Sequence, residues 1–261
     1  MRNARFYGKA PFAVAVLHGG PGAPGEVAPV ARELSREMGV IEPMQKADSI
    51  GGQVEELRSL LSKRARLPVN LVGHSWGAWL GFIIAARRPE LVRKLVLINS
   101  GPFEQRYAAG ISETRRSRMN EDERIEMASV MGRLGHLGVH ESERLLRRLG
   151  ELSDKTDQFD PLPHEDDVIE FQGEVFRKVW REAEALRAGG ELLELGRRIA
   201  CPVVAIHGDH DPHPAEGVEE PLSRVLNDFH FILLRNCGHI PWIERQAKEE
   251  FYRALREAIL P

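Results

Sequence analysis

The chain has only two cysteines, Cys201 and Cys237, among its 261 residues. Two thiols cannot build the framework of a disulfide-rich secreted domain, and so low a count suits a reducing, cytoplasmic setting. No Cys-x-x-Cys pair occurs, so a zinc site of the common structural kind is not expected. Neither sign of charge prevails: 36 Lys and Arg face 39 Asp and Glu, a formal net charge of −3. The basic field that nucleic acid would need and the acidic tail of a disordered interaction segment are both missing. Long apolar runs are missing too; nothing approaches the roughly 20 residues of a membrane span. Arg2, Arg5 and Lys9 ahead of Phe12–Leu17 imitate a signal peptide. That run is short, however, and leads straight into His18-Gly19-Gly20-Pro21-Gly22 without a separate cleavage site, so it reads as a strand. Internal repeats and low-complexity tracts are also lacking.

What is present is the composition of a globular protein, 42% hydrophobic and 29% charged, long enough for one large domain with an insertion. Short apolar runs rich in β-branched residues alternate with helical patterns. The runs are 12–17, 69–72, 95–98, 202–206 and 229–234, with 39–43 less marked. Helical spacing joins Val54, Leu57, Leu60 and Leu61, then Phe251, Leu255 and Ile259, and a helix is expected from about Glu26 to Met38. Continuous apolar strands imply burial on both faces, hence a doubly wound, mostly parallel α/β sheet. Residues 103–190 break the alternation. They hold no convincing strand, and Val168, Phe171, Val175, Val179 and Leu186 trace a helical stripe. The organisation expected is a core of residues 1–102 and 191–261 with a helical cap inserted at 103–190.

Gly73-His74-Ser75-Trp76-Gly77 fits G-x-S-x-G between a strand and a helix, the context of a nucleophile elbow. Such a sharp turn tolerates little side chain at its flanks, and the serine projects at the carboxyl end of the strand. Acyl transfer also needs two backbone N–H donors for the oxyanion. Trp76 supplies one and the Gly19-Gly20 loop the other. A carboxylate and then an imidazole should follow the serine in chain order. Asp211 comes just after strand 202–206 and His239 just after strand 229–234, so His239 is the candidate base and Asp211 its orienting acid. Asp209, on the same loop, is read as a brace. Trp76 and Trp79 are assigned to packing, and Cys237, outside any elbow, to packing or an exposed thiol.

With these motifs the chain resembles the α/β-hydrolase fold family, and His18-Gly-Gly-Pro-Gly22 with Gly73-His-Ser-Trp-Gly77 is similar to its proline iminopeptidase-like branch. The resemblance implies Ser75, Asp211 and His239 as a catalytic triad, Gly20 and Trp76 as the oxyanion hole, a helical cap and no cofactor. It also implies that cap carboxylates bind a substrate ammonium group; Asp166, Glu170 and Glu174, spaced i, i+4, would share a helix face for this, although on their own such charged residues read first as a solvated acidic face. Three departures stand out. The N-terminus is short for the usual opening pair of strands, 40–51 lacks an Asp-x-Arg-Gly turn, and the cap carries no assignable specificity pattern. The expected reaction is therefore hydrolysis of an ester or amide in a small molecule or short peptide. Carboxylesterase, thioesterase, carbon–carbon bond hydrolase and a non-catalytic binding protein are the alternatives. A metallohydrolase built on His207, Asp209, His210, Asp211 and His213 is disfavoured, because the spacing fits no usual metal motif.

Overall fold

Seven strands form one sheet: β1 (Ala4–Tyr7), β2 (Phe12–Leu17), β3 (Gly39–Pro43), β4 (Val69–His74), β5 (Val92–Ile98), β6 (Val203–Gly208) and β7 (Phe229–Leu234). Their order is β1-β3-β2-β4-β5-β6-β7, parallel throughout except for β1, which runs antiparallel to β3. The coordinates are a computed structural model and describe residues 3–134, 139–164 and 167–260. The helices are α1 (Ala28–Leu34), α2 (Ile50–Arg64), α3 (Trp76–Arg87), α4 (Gln105–Arg118), α5 (Glu121–Leu134), α6 (Val139–Asp157), α7 (Gly173–Ala188), α8 (Glu191–Glu194), α9 (Glu216–Val225) and α10 (Lys248–Ile259).

The alternation of side chains along each strand divides the core in two. Leu71, Leu95, Leu97 and Ala205 pack with α2 and α3 on one face. Val72, Val96, Ile98 and Ile206 pack with α1 and α10 on the other. Each such Leu, Val or Ile side chain contributes about 1.5–3 kcal/mol on burial, which explains why these strands read as unbroken apolar runs. α3 is buried along nearly its whole length, consistent with a helix that is apolar all round. Among the described residues, no helix is long and apolar enough to cross a membrane.

Helices α4 to α7 lie between β5 and β6. Within 103–190 the extended pairing among the described residues is an isolated bridge from Pro161 to Glu244. An aromatic ladder ties this insertion to the core: Phe176 stacks on Trp180 at 6.0 Å and Trp180 on Trp79 of α3 at 5.9 Å.

Three expectations need correction. The sequence pattern marks no strand before Phe12, yet β1 pairs antiparallel to β3 at the edge of the sheet. Its Ala-Arg-Phe-Tyr sequence lacks the continuous apolar signal of a strand covered on both faces. α1 begins at Ala28 with Pro29 in its first turn, so Glu26 lies on the loop before it. The helical stripe from Val168 to Leu186 is broken as well. α7 starts only at Gly173, and 167–172 runs as a strap without regular secondary structure. The strap is drawn out by backbone bonds from Ile169 N–H to the Pro24 carbonyl (2.9 Å) and from Gln172 N–H to the Gly22 carbonyl (2.8 Å). Glu170 and Glu174 therefore share no helix face, and Asp166 lies outside the described residues.

Candidate active site

Parallel strands deliver their carboxyl ends to one edge of a sheet. At that edge His18-Gly19-Gly20 follows β2, Ser75 follows β4, Asn99 follows β5, Asp211 lies just beyond β6 and His239 lies beyond β7.

Ser75 occupies a left-handed conformation, φ 51° and ψ −114°, with no linker between strand and helix. Backbone strain of this kind costs about 1–3 kcal/mol and persists only where the surroundings enforce it. Here Ser75 N–H donates to the Ile98 carbonyl of the neighbouring strand at 2.9 Å. The turn also leaves no room beside it. A Cβ on Gly73 would meet the Gly77 carbonyl, and one on Gly77 would lie 2.4 Å from the Leu17 carbonyl. Ser75 is half-buried, whereas Trp76 is packed into the core with its indole donating to Gln53 Oε1 at 3.2 Å. As the first residue of α3, Trp76 has a backbone N–H without an intrahelical acceptor, and α3 has no side-chain cap.

Gly20, half-buried, has φ +31°. The loop that carries it is held by Glu26, whose role the sequence did not reveal. Glu26 Oε2 accepts from Gly19 N–H at 2.5 Å and lies 3.2 Å from His74 Nδ1. Burial works to raise the Glu26 carboxyl, but His74 through charge and hydrogen bond, then His18 and the Gly19 N–H, hold it below the ordinary carboxylate value.

His239 and Asp211 meet directly: His239 Nδ1–H donates to Asp211 Oδ2 at 2.8 Å. Burial works to raise the Asp211 carboxyl, yet the imidazoles of His239 and His213 outweigh it and hold the group well below the usual range. For His239, burial works to lower the imidazole, and the charge and hydrogen bond of Asp211 outweigh it, so the ring is raised above its ordinary 6.5. The His239 backbone is anchored on three sides. Its carbonyl faces His74 Nε2 at 2.9 Å and accepts from Asn99 Nδ2 at 2.8 Å, and its N–H donates to the Asp157 carbonyl at 2.9 Å. The His74 and His239 rings are 4.8 Å apart, which places the imidazole loop against the residue preceding Ser75.

Further supports come from residues with no recognisable motif. Buried Glu244 accepts from the N–H groups of Gly238, Phe159 and Asp160, each at 2.8 Å, and so joins the His239 loop to the segment after α6. Arg115 of α4 grips Asp157 with two bonds of 2.8 and 2.6 Å. Arg118 donates to the carbonyls of Thr156 and His210. Asp209 is exposed and accepts from Cys237 N–H at 3.3 Å, across the two loops; Cys237 itself is buried. Asp211, His213 and His239 are the one trio among the described residues whose donor atoms lie close enough to take up an ion, all within 4.8 Å. Both Nδ1 protons in that trio point at the carboxylate. Glu170 and Glu174 are exposed; Glu174 pairs with Lys178 at 3.0 Å, and Lys178 also reaches Asp48 at 2.7 Å.

A serine at a strained elbow, an imidazole held by a buried carboxylate, and free N–H groups at a helix start can together perform acyl transfer. Comparison with known proteins agrees with the fold. VinJ superposes with a TM-score of 0.70 at 19% identity, covering 97% of this chain and 93% of VinJ. The proline iminopeptidase of Mycobacterium smegmatis gives 0.64 at 18% identity, covering 97% and 92%. Among curated proteins, the cis-3-alkyl-4-alkyloxetan-2-one decarboxylase of Shewanella oneidensis is 36% identical over 56 residues, 21% of this chain and only 18% of that protein's length. Residues 14–254 match the family model described as the alpha/beta hydrolase family, and with a match of that extent the chain belongs to this family.

Proposed function

We propose that this protein is a serine hydrolase that cleaves an ester or amide through an acyl-enzyme. The observation that carries the reading is the 2.8 Å bond between His239 and buried Asp211 on loops packed against the Ser75 elbow. In this reading His239 Nε2 takes the Ser75 hydroxyl proton as Oγ attacks the acyl carbon. Asp211 fixes the imidazole tautomer and steadies the imidazolium. The N–H groups of Trp76 and Gly20 receive the oxyanion. Collapse of the tetrahedral intermediate breaks the bond to the leaving group, which takes the proton from His239. Water then repeats the sequence and releases the acid. Carboxylesters, thioesters and amides all fit this order of steps. The HGGPG motif adds the aminopeptidase of a short peptide with a free amine as the narrower reading.

The test uses a panel of activated acyl esters and a fluorophosphonate probe. Wild type should turn over at least one ester and be labelled at Ser75. Ser75→Ala should lose on the order of 10³-fold or more in kcat while melting at the wild-type temperature. Retention of more than about a tenth of kcat by Ser75→Ala would refute the assignment.

A further inference from the structure

Asp211 holds a second imidazole as closely as it holds His239. Its Oδ1 accepts twice from one residue, from the backbone N–H of His213 at 2.9 Å and from the ring Nδ1–H of His213 at 2.7 Å. Oδ2 is left facing His239 at 2.8 Å. His207, on β6, presents Nε2 to the His213 carbonyl at 2.9 Å and so fixes the backbone from which His213 donates. The His213 and His239 ring centroids are 4.7 Å apart, with the planes inclined by 32°.

A carboxylate is free to turn about its last torsion, whose preference is broad. One contact to His239 would leave that rotation loosely defined. Two donors on the other oxygen, from a residue whose carbonyl is held by His207, set the carboxylate plane. We infer that His213 is a positioning residue of the proposed reaction: its ring and backbone N–H pin Oδ1 of Asp211, so that Oδ2 is turned to His239, with His207 Nε2 farther off at 3.7 Å. The inference rests on the serine-hydrolase reading. A carboxylate accepts and does not donate when ionised, so His213 must carry its proton on Nδ1. Burial, the larger influence, lowers both His213 and His207 despite the nearby Asp211, whereas His239 is raised. Of the three imidazoles around one carboxylate, His239 alone is driven toward the charged form.

The sign of the expected effect follows. Each bond donated to Asp211 makes it less basic. Removing the His213 ring bond makes Asp211 a stronger partner for His239 and moves the acid limb of kcat/KM to higher pH. The other groups around the pair stay in place in the variants: His74 beside His239, Asp157 and Arg115 from the inserted helices acting on His239, and His207, Arg115 and Arg118 near Asp211.

The experiment compares wild type, His213→Leu and His213→Asn on one activated ester from about pH 5 to 9, with Ser75→Ala as control and thermal melts of each. An Asn amide nitrogen can replace the Nδ1 donor. His213→Leu should lower kcat about 10-fold or more, the worth of a bond to a charged acceptor, with KM within about twofold and the acid limb displaced upward. His213→Asn should restore kcat to within about threefold and return the limb. An acid limb in His213→Leu that coincides with wild type, or an Asn variant as impaired as Leu, overturns the inference. Nitrogen-15 histidine spectra of the wild type decide independently of any variant's folding. His213 must stay in the Nδ1–H tautomer while His239 titrates, and an Nε2–H tautomer at His213 overturns the proposal. If Ser75→Ala remains active, the hydrolase reading falls instead, and the tautomer still reports on the His213–Asp211 bond.

Discussion

The Asn99 carboxamide donates to the backbone carbonyl of His239 at 2.8 Å, a contact between residues 140 positions apart. The same nitrogen reaches the Gly238 carbonyl and the amide oxygen accepts from Gly208 N–H, both at 2.8 Å. One buried side chain thus holds the imidazole loop and the end of the strand leading to Asp211.

Asn99→Ala removes all three bonds; the His239 carbonyl keeps His74 Nε2, but the Gly238 carbonyl and the Gly208 N–H lose a buried partner, a cost of about 1–3 kcal/mol each if neither relaxes. It also places alanine at φ 41°, which asparagine tolerates better. The variant should melt several degrees lower and lose about 10-fold or more in kcat through displacement of His239. Calorimetry and steady-state kinetics check both; an unchanged kcat would show that the imidazole loop keeps its place without Asn99.

The two aspartates of the 209–211 loop should separate cleanly. Asp211→Asn takes the charge from His239 and misdirects its tautomer, so kcat should fall by about 10³ to 10⁴. Asp209 is exposed and braces Cys237 N–H; Asp209→Asn should cost at most about 1 kcal/mol of stability and little activity. The reverse pattern would reassign the acid.

The proposed reaction needs His239 unprotonated. Because Asp211 outweighs burial and raises this ring above 6.5, kcat/KM should fall with decreasing pH through a midpoint above 6.5. The same raised pKa stabilises the fold fully below the unfolded value and that contribution is lost as pH rises through the folded one. A kcat/KM acid limb below 6.5 would contradict the geometry.

Glu170 and Glu174 are open to water, and Glu174 is already paired with Lys178. Such a surface pair contributes little. Glu170→Gln and Glu174→Gln should each leave KM for prolyl nitroanilide within about twofold, as they should for its N-blocked form and a short acyl ester. A rise in KM confined to the free-amine compound would establish amine recognition by these residues.

How much of this was legible depended on where the signal lies. The strands covered on both faces announced themselves through runs such as Phe12–Leu17 and Val203–Ile206, whereas edge strand β1 did not. The placement of Ser75, Asp211 and His239 at one edge of the sheet could be anticipated because each follows a strand in chain order. Glu26, Asn99, His213 and Glu244 could not, since each acts on backbone N–H or carbonyl groups, or on a neighbouring carboxylate, in a geometry that only the folded loops create. The stretch from Val168 to Leu186 misled for a related reason. Its apolar spacing suits a helix, but carbonyls of the Gly22–Pro24 loop claim the N–H groups of Ile169 and Gln172 first.

That last contact has a consequence for diversification. The strap is fastened to the glycine loop after β2 through main-chain atoms, and Gly22, at φ +90°, is what lets the Gln172 backbone come so close: a Cβ there would lie 2.6 Å from the Gln172 carbonyl. Main-chain fastening reads no side chain. The two bonds ask for no particular side chain at exposed position 170, whereas Phe171 packs on Phe176 at 5.7 Å. The arrangement behaves as a socket that reads backbone, and it depends on Gly25 as on Gly22, since a Cβ on Gly25 would run into the Asp167 carbonyl. A library randomised at position 170 should therefore keep the wild-type melting temperature, whereas Gly22→Ala or Gly25→Ala should lower it.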